Sequence, residues 1–234
     1  MINDGIIATK LGLQGIPISA ELLIIERDLT LLEYNNCRYH IAQISSANSV
    51  DIIRERKNKV NFSCGVSINN LSLNENDIGD FKTFLKLSPP LRTETDRNAL
   101  VQGLNDKTID VIVSDHKPED EENKRLTFAQ AESGASVIET LLPLSLELYH
   151  NGSVELETII KALTSKPAEI LKINKGNLSI GNDADFCIVD INKPWVVRKE
   201  KLISKSKNTP IEDKKLQGKV LNTFVNGEEL FKSE

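Results

Sequence analysis

The run Val111-Ile112-Val113-Ser114-Asp115 limits the possible folds more than any other stretch of this chain. Three β-branched residues in a row leave no polar alternate for a wet face. A strand of this kind is buried on both sides, which calls for helices packed against both faces of a parallel sheet.

The flanking sequence supplies those helices. Residues 20–32 space Leu22, Leu23, Ile25, Leu29 and Leu32 at helical intervals behind Pro17 and Ser19. Residues 38–45 read as a strand feeding a helix over 49–57, residues 60–67 as a second strand, 96–104 as a helix and 110–114 as the third strand. Alternation of this type predicts a parallel α/β sheet or barrel. Further helical patterns cover 136–150, where Pro143 should kink or split the element, 156–164, and a short stretch opened by Pro167 and ending at Leu171. The texture changes after Gly176. Short β-like stretches broken by Gly181 and Asn182, and a hairpin signal at Asn226-Gly227, predict a small β-rich unit. The expected division is therefore residues 1–172 and 173–234, with 199–215 as a long surface excursion.

Composition removes several partner classes. With 29 Lys and Arg against 34 Asp and Glu, the net charge of −5 does not suit a nucleic-acid-binding surface. No apolar run approaches the roughly 20 residues needed to cross a bilayer, so no membrane partner and a cytoplasmic location are expected. Cys37, Cys64 and Cys187 are odd in number and widely spaced, which predicts reduced, buried thiols rather than a disulfide framework.

Two segments could carry chemistry. Asp115 stands at the carboxyl end of the buried strand, where the loops of an α/β fold converge, and the charged stretch 116–125 should form an exposed loop after it. A carboxylate there can bind a metal or relay a proton, although an Asp after a strand also serves as a turn or helix cap. The segment Lys86-Leu-Ser-Pro-Pro-Leu-Arg92 presents Ser88 and Arg92 on a loop stiffened by two prolines, which suits either ligand binding or a structural turn. Histidine is scarce. By alternation His40 faces the core with Ala42, His150 ends a helix, and His116 alone adjoins the candidate site. Spacing by itself does not reveal a zinc centre, which generally takes three His, Cys or carboxylate ligands.

In order along the chain, Gly12-Leu-Gln-Gly-Ile-Pro17 with Glu21 and Arg27-Asp28, then YHIAQIS, SPPLRTETDRNALVQGLNDKTIDVIVSDHKP, Phe128 through ETLLPL, and SKSKNTP resemble successive blocks of the dihydroorotase family (class I type, amidohydrolase superfamily). That resemblance implies a fold of α/β class: the last strands and helices of a TIM-type (β/α)8 metal-dependent hydrolase barrel, with the C-terminal part of a small β-sandwich subdomain. It also implies zinc-assisted, reversible conversion of N-carbamoyl-L-aspartate to dihydroorotate in pyrimidine biosynthesis, with one or two zinc ions.

By this resemblance Asp115 is the metal-binding, proton-shuttling aspartate. Gln43 stands where a metal-binding His is usual, Ser88 where a substrate-contacting Asn is usual, and Glu119 where a His is usual. Ser133-Gly134 falls where a pair of residues touches the substrate. The family's His-x-His pair, its bridging lysine or aspartate, a further metal-binding His and a substrate-binding Arg belong before the position of Met1, so the chain matches barrel strands six to eight. Three functions follow as alternatives. The chain is part of an active dihydroorotase, a non-catalytic dihydroorotase-like subunit scaffolding aspartate carbamoyltransferase, or part of an allantoinase or hydantoinase. The expected partners are a small-molecule substrate and either a second copy of the chain or aspartate carbamoyltransferase.

Overall fold

Runs of β-branched residues alternating with amphipathic helices place a parallel sheet early in the chain. The computed structural model describes residues 1–35 and 37–233. A short pair, β1 (Ile2–Asn3) and β2 (Gly15–Ile16), brackets helix α1 (Ile6–Leu11) and leads into α2 (Ser19–Tyr34). There follow β3 (His40–Ile44), α3 (Ala47–Arg56), β4 (Ser63–Ser67), α4 (Ile68–Ser72), α5 (Glu94–Asn105) and β5 (Val111–Val113). Strands β3, β4 and β5 pair in that order, all parallel, with Ile44 opposite Val66 and Ser67 opposite Val113.

Side-chain chemistry explains the element ends. Ser46 caps α3 by accepting from the Ser49 N–H, and Thr93 with Asp96 forms a reciprocal capping box on α5. One face of the sheet, carrying Ile41, Ile44, Cys64, Val66 and Ile112, shares a core with Ile25 and Leu29 of α2, Ile53 of α3 and Leu100 and Leu104 of α5. Each such side chain contributes roughly 1.5–3 kcal/mol on burial. Gly65 has a local reason, since a Cβ there would lie 2.5 Å from the Ala42 carbonyl oxygen, so only glycine lets β3 and β4 approach this closely.

Several expectations are corrected in the next region. The stretch 116–125 is not wholly an exposed loop, because it contains α6 (Glu121–Lys124) and Lys124 is buried. Pro143 neither kinks nor splits a helix. Residues 138–140 form a 3-10 turn and α7 (Leu141–His150) begins after it, which puts Pro143 in a first turn where its missing N–H has no intrahelical partner to lose. Helices α8 (Leu156–Leu163) and α9 (Ser165–Leu171) follow as the sequence predicts.

The last part is an antiparallel sheet of β6 (Phe186–Val196), β7 (Lys215–Val225) and β8 (Glu228–Lys232), paired in that order. Asn226 and Gly227, with φ of 51° and 81°, turn β7 into β8 as their sequence predicts. Of the short β-like stretches expected around Gly181 and Asn182, the one before Gly181 does not form, and the one after Asn182 opens β6, which takes β7 as its partner. The 199–215 excursion is not a surface loop throughout: Leu202, Asn208, Thr209 and Ile211 are buried.

Cys64 is buried as expected, whereas Cys37 and Cys187 are exposed. His40 is also exposed rather than in the core, and its Nδ1 lies 2.7 Å from the Ser63 hydroxyl. Among the described residues no helix is long and apolar enough to cross a membrane.

Candidate active site

A parallel strand delivers its last residues and those that follow them to the carboxyl edge of the sheet. Here β3 delivers Gln43, β4 delivers Ser67 and the Asn69 that follows it, and β5 delivers Asp115. Asp115 has φ of 49°, a left-handed conformation that Asp tolerates better than most side chains and that bends the chain sharply out of the strand. Its half-buried carboxyl lies above the ordinary carboxylate range because burial disfavours the charge, while a hydrogen bond donated by the Gln43 amide and the nearby charge of Lys117 oppose that rise.

Three loops meet beside Asp115. Gly134 donates its N–H to the Lys86 carbonyl at 2.9 Å, and the Lys117 N–H donates to Ala135 at 2.9 Å, so the segments 86–92, 115–119 and 133–135 form one rim. A Cβ on Gly134 would meet the Lys117 carbonyl oxygen at 2.6 Å. Ser88 is exposed on this rim, at a cis Ser88–Pro89 peptide, and Ser133 is half-buried. The Glu119 carboxylate stands 3.7 Å from Lys117 Nζ, and its backbone is held by Ser206 Oγ, which donates to the Glu119 carbonyl at 2.6 Å.

Arg92 is not offered to a ligand. It is buried, donating to Ser45 Oγ at 3.1 Å, to Asn3 Oδ1 at 2.8 Å and to the Ile16 carbonyl at 2.6 Å. Glu21 completes that cluster by accepting from the Ser45 N–H at 3.0 Å and the Ser49 hydroxyl at 2.5 Å. His116 is likewise structural: its Nδ1 accepts from the N–H groups of Val137 and Ile138 at 3.1 and 3.3 Å, which caps the 3-10 turn before α7. His150 Nε2 lies 2.9 Å from the Ile191 carbonyl and ties α7 to β6.

Sequence reading missed four residues that matter here. Lys86 Nζ donates to the carbonyls of Ala129 and Ala131 at 3.0 and 2.5 Å, and Lys124 Nζ to those of Thr83 and Glu132 at 3.2 and 2.6 Å, so two buried ammonium groups staple the rim from beneath. Asn208 reaches in from the excursion, its Nδ2 donating to the Gly134 carbonyl at 3.2 Å. The fourth is Asn69, fully buried, with neither side-chain Oδ1 nor Nδ2 partnered. Its place after the β4 strand was the available signal, the same that marked Asp115.

The donor set does not fit a zinc ion unaided. Among the described residues no group of three or more His, Cys, Asp or Glu side chains could hold a metal. Asp115 offers one carboxylate, Gln43 an amide already bonded to it, and His116 a nitrogen already accepting from the backbone. What the arrangement can do is hold a polar molecule against a rigid rim and exchange a proton with it through Asp115. Cavities of 430, 610 and 490 Å³ lie against Trp195 and Glu147, beside Asp4 and Lys10, and between Phe84 and Pro210, and none of these three touches Asp115.

Comparison with known proteins places these features in context. Residues 14–230 match the model of the amidohydrolase family. The chain is 42% identical over 228 residues to a dihydroorotase of Ehrlichia canis, covering 97% of this chain and 51% of that protein. It is 42% identical over 235 residues to a dihydroorotase of Ehrlichia chaffeensis, covering 100% and 53%. Among solved structures it is similar to L-hydantoinase from Arthrobacter aurescens, with TM-score 0.85, 26% identity, and 89% of this chain and 48% of that one covered. The fold is also that of the dihydropyrimidinase from Brevibacillus agri, with TM-score 0.86, 22% identity, and 92% and 49% covered. The chain spans about half the length of the curated relatives it matches.

Proposed function

This chain belongs to the amidohydrolase family, and from that membership we propose that it forms part of a dihydroorotase-type cyclic amidohydrolase, interconverting N-carbamoyl-L-aspartate and dihydroorotate in pyrimidine biosynthesis. One observation carries the reading: 42% identity to a dihydroorotase extends across 97% of the chain. The hydantoinase-like structures support the fold, while the sequence favours dihydroorotate as the cyclic amide. In this reading β3, β4 and β5 are three strands of a (β/α)8 barrel spanning residues 1–172, and 173–234 contribute to a β-sandwich subdomain in a cytoplasmic enzyme.

The roles follow from the chemistry of the rim. Ser88, Ser133, Gly134 and Glu119 border the substrate. Asp115, its carboxyl raised by burial, accepts a proton from the water that attacks the ring carbonyl and returns it to the departing ring nitrogen. Zinc belongs to this reading only through the family. The strand ends of this chain supply no complete site for it, and no step is assigned to it.

A second reading rests on that same shortage of metal ligands and on the amide at Gln43. In it the chain is a non-catalytic dihydroorotase-like subunit that scaffolds aspartate carbamoyltransferase or a second copy of itself.

Turnover of dihydroorotate, allantoin and hydantoin separates these readings, using the chain co-expressed with the part of the Ehrlichia chaffeensis dihydroorotase that it does not span. Ring opening confined to dihydroorotate and lost in Asp115→Asn supports the enzyme. A well-folded complex with no turnover supports the scaffold, and preference for hydantoin or allantoin overturns the substrate assignment.

A further inference from the structure

The strand ends hold a contradiction that the family's chemistry does not resolve. Ser67 faces Val113 across the β4–β5 ladder, and Asn69, in the first turn of α4, and Asp115 each follow two residues beyond, past the carboxyl ends of adjacent strands. Asn69 is 0% exposed, yet both polar atoms of its carboxamide lack a partner, and the Ser72 hydroxyl, one turn later on the same face of α4, lacks one as well. Native proteins leave few such groups unpaired, and an internal small molecule or ligand atom is the usual complement. Gln43 stands one residue before the end of β3, beyond β4 from Asp115, and offers a neutral carboxamide where a metal site would need a ligand of imidazole, thiolate or carboxylate type.

We infer that the three strand ends form a neutral hydrogen-bonding cradle, built from the carboxamides of Gln43 and Asn69 beside Asp115, which takes an uncharged polar group in place of a divalent cation. A carboxamide offers one acceptor oxygen and two N–H donors, a set that matches a water molecule or the edge of an amide. Zinc selects imidazole, thiolate and carboxylate, and a donor N–H directed at a cation repels it. Two of the three strand ends therefore carry side chains of the wrong type for a metal and of the right type for a neutral ligand. This inference stands apart from the proposed hydrolase, because metal binding is read without any turnover and either can fail alone.

Titration of the purified chain with cobalt(II), followed by visible absorption, is the test. The expected result is no ligand-field band for the wild-type chain and no rise in Tm with zinc. Gln43→His combined with Asn69→His places two imidazoles beside Asp115, and this variant should gain a cobalt band that the added change Asp115→Asn removes. A cobalt band in the wild-type chain that Asp115→Asn abolishes would overturn the inference. So would a double variant with an unchanged circular dichroism spectrum that binds no cobalt, since the three positions would then not converge. Should the histidine variant fail to fold, the near-isosteric Gln43→Glu with Asn69→Asp carries the same arm: a cobalt band supports the inference, and its absence in folded protein refutes it.

Discussion

Gly134 donates its backbone N–H to the carbonyl of Lys86 at 2.9 Å, and that bond joins the 133–135 segment to the 86–92 segment that carries Ser88. Because φ at Gly134 is 147° and a Cβ would sit 2.6 Å from the Lys117 carbonyl oxygen, Gly134→Ala must displace either its own segment or the 115–119 segment. Strain of this type costs about 1–3 kcal/mol. A lower urea midpoint for Gly134→Ala, with an unchanged denaturant slope, is the expected outcome, and equal midpoints would show that the rim yields freely.

Arg92 should be worth more than an exposed arginine. It is buried among Ser45, Asn3 and the Ile16 carbonyl, with Glu75 accepting from Asn3 at 2.7 Å and Glu21 accepting from Ser45. Removing the cation leaves those carboxylates without compensation, at a cost of roughly 3–5 kcal/mol. Arg92→Met should therefore destabilise strongly in chemical denaturation, and adding Glu21→Gln should recover part of the loss. Strict additivity of the two changes would disprove the coupling.

The pH dependence of stability should carry the mark of Lys124. Burial brings its ammonium down from 10.5 to about 8. Below about pH 8 both states hold the proton and folding bears the full burial cost; between about 8 and 10.5 the unfolded chain binds more protons, so stability rises with pH. Cys64 and Tyr39 act the other way. Burial pushes both up from their ordinary 9.0 and 10.0, so the unfolded chain ionises first and stability falls above those values. Between pH 8 and 9 the Lys124 slope stands alone of these three, and Lys124→Met should abolish it in urea titrations across that window.

Thiol labelling should divide the cysteines by burial. Cys37 and Cys187 are exposed, while burial holds the Cys64 thiol protonated. Two fast equivalents of a disulfide reagent and a third released only by denaturant are expected. Rapid reaction of all three would show that β4 opens readily.

The strands and helices were legible where an unbroken apolar run, as in β5, or a single period, as in α2, marks the element, because burial on two faces or one writes itself directly into the pattern. The place of Asp115 at the carboxyl edge of the sheet was legible for a related reason: a polar residue ending an apolar strand has few other places to go. The rest was hidden because long polar side chains do not announce their partners. Nothing in the local sequence distinguishes Lys124, whose ammonium reaches backbone carbonyls 2.6 and 3.2 Å away, from exposed Arg125. Arg92 looked like a presented ligand-binding group for the same reason, and the excursion looked like surface because its buried Asn208 and Thr209 are polar.

The position of Asn208 has a mechanical result. It reaches Gly134 from the connection between two strands of the antiparallel sheet, so the opening around Asp115 takes part of its stiffness from a region remote in sequence. A single proteolytic nick within residues 203–207 would let go of that grip and leave the mouth looser with every strand still in register.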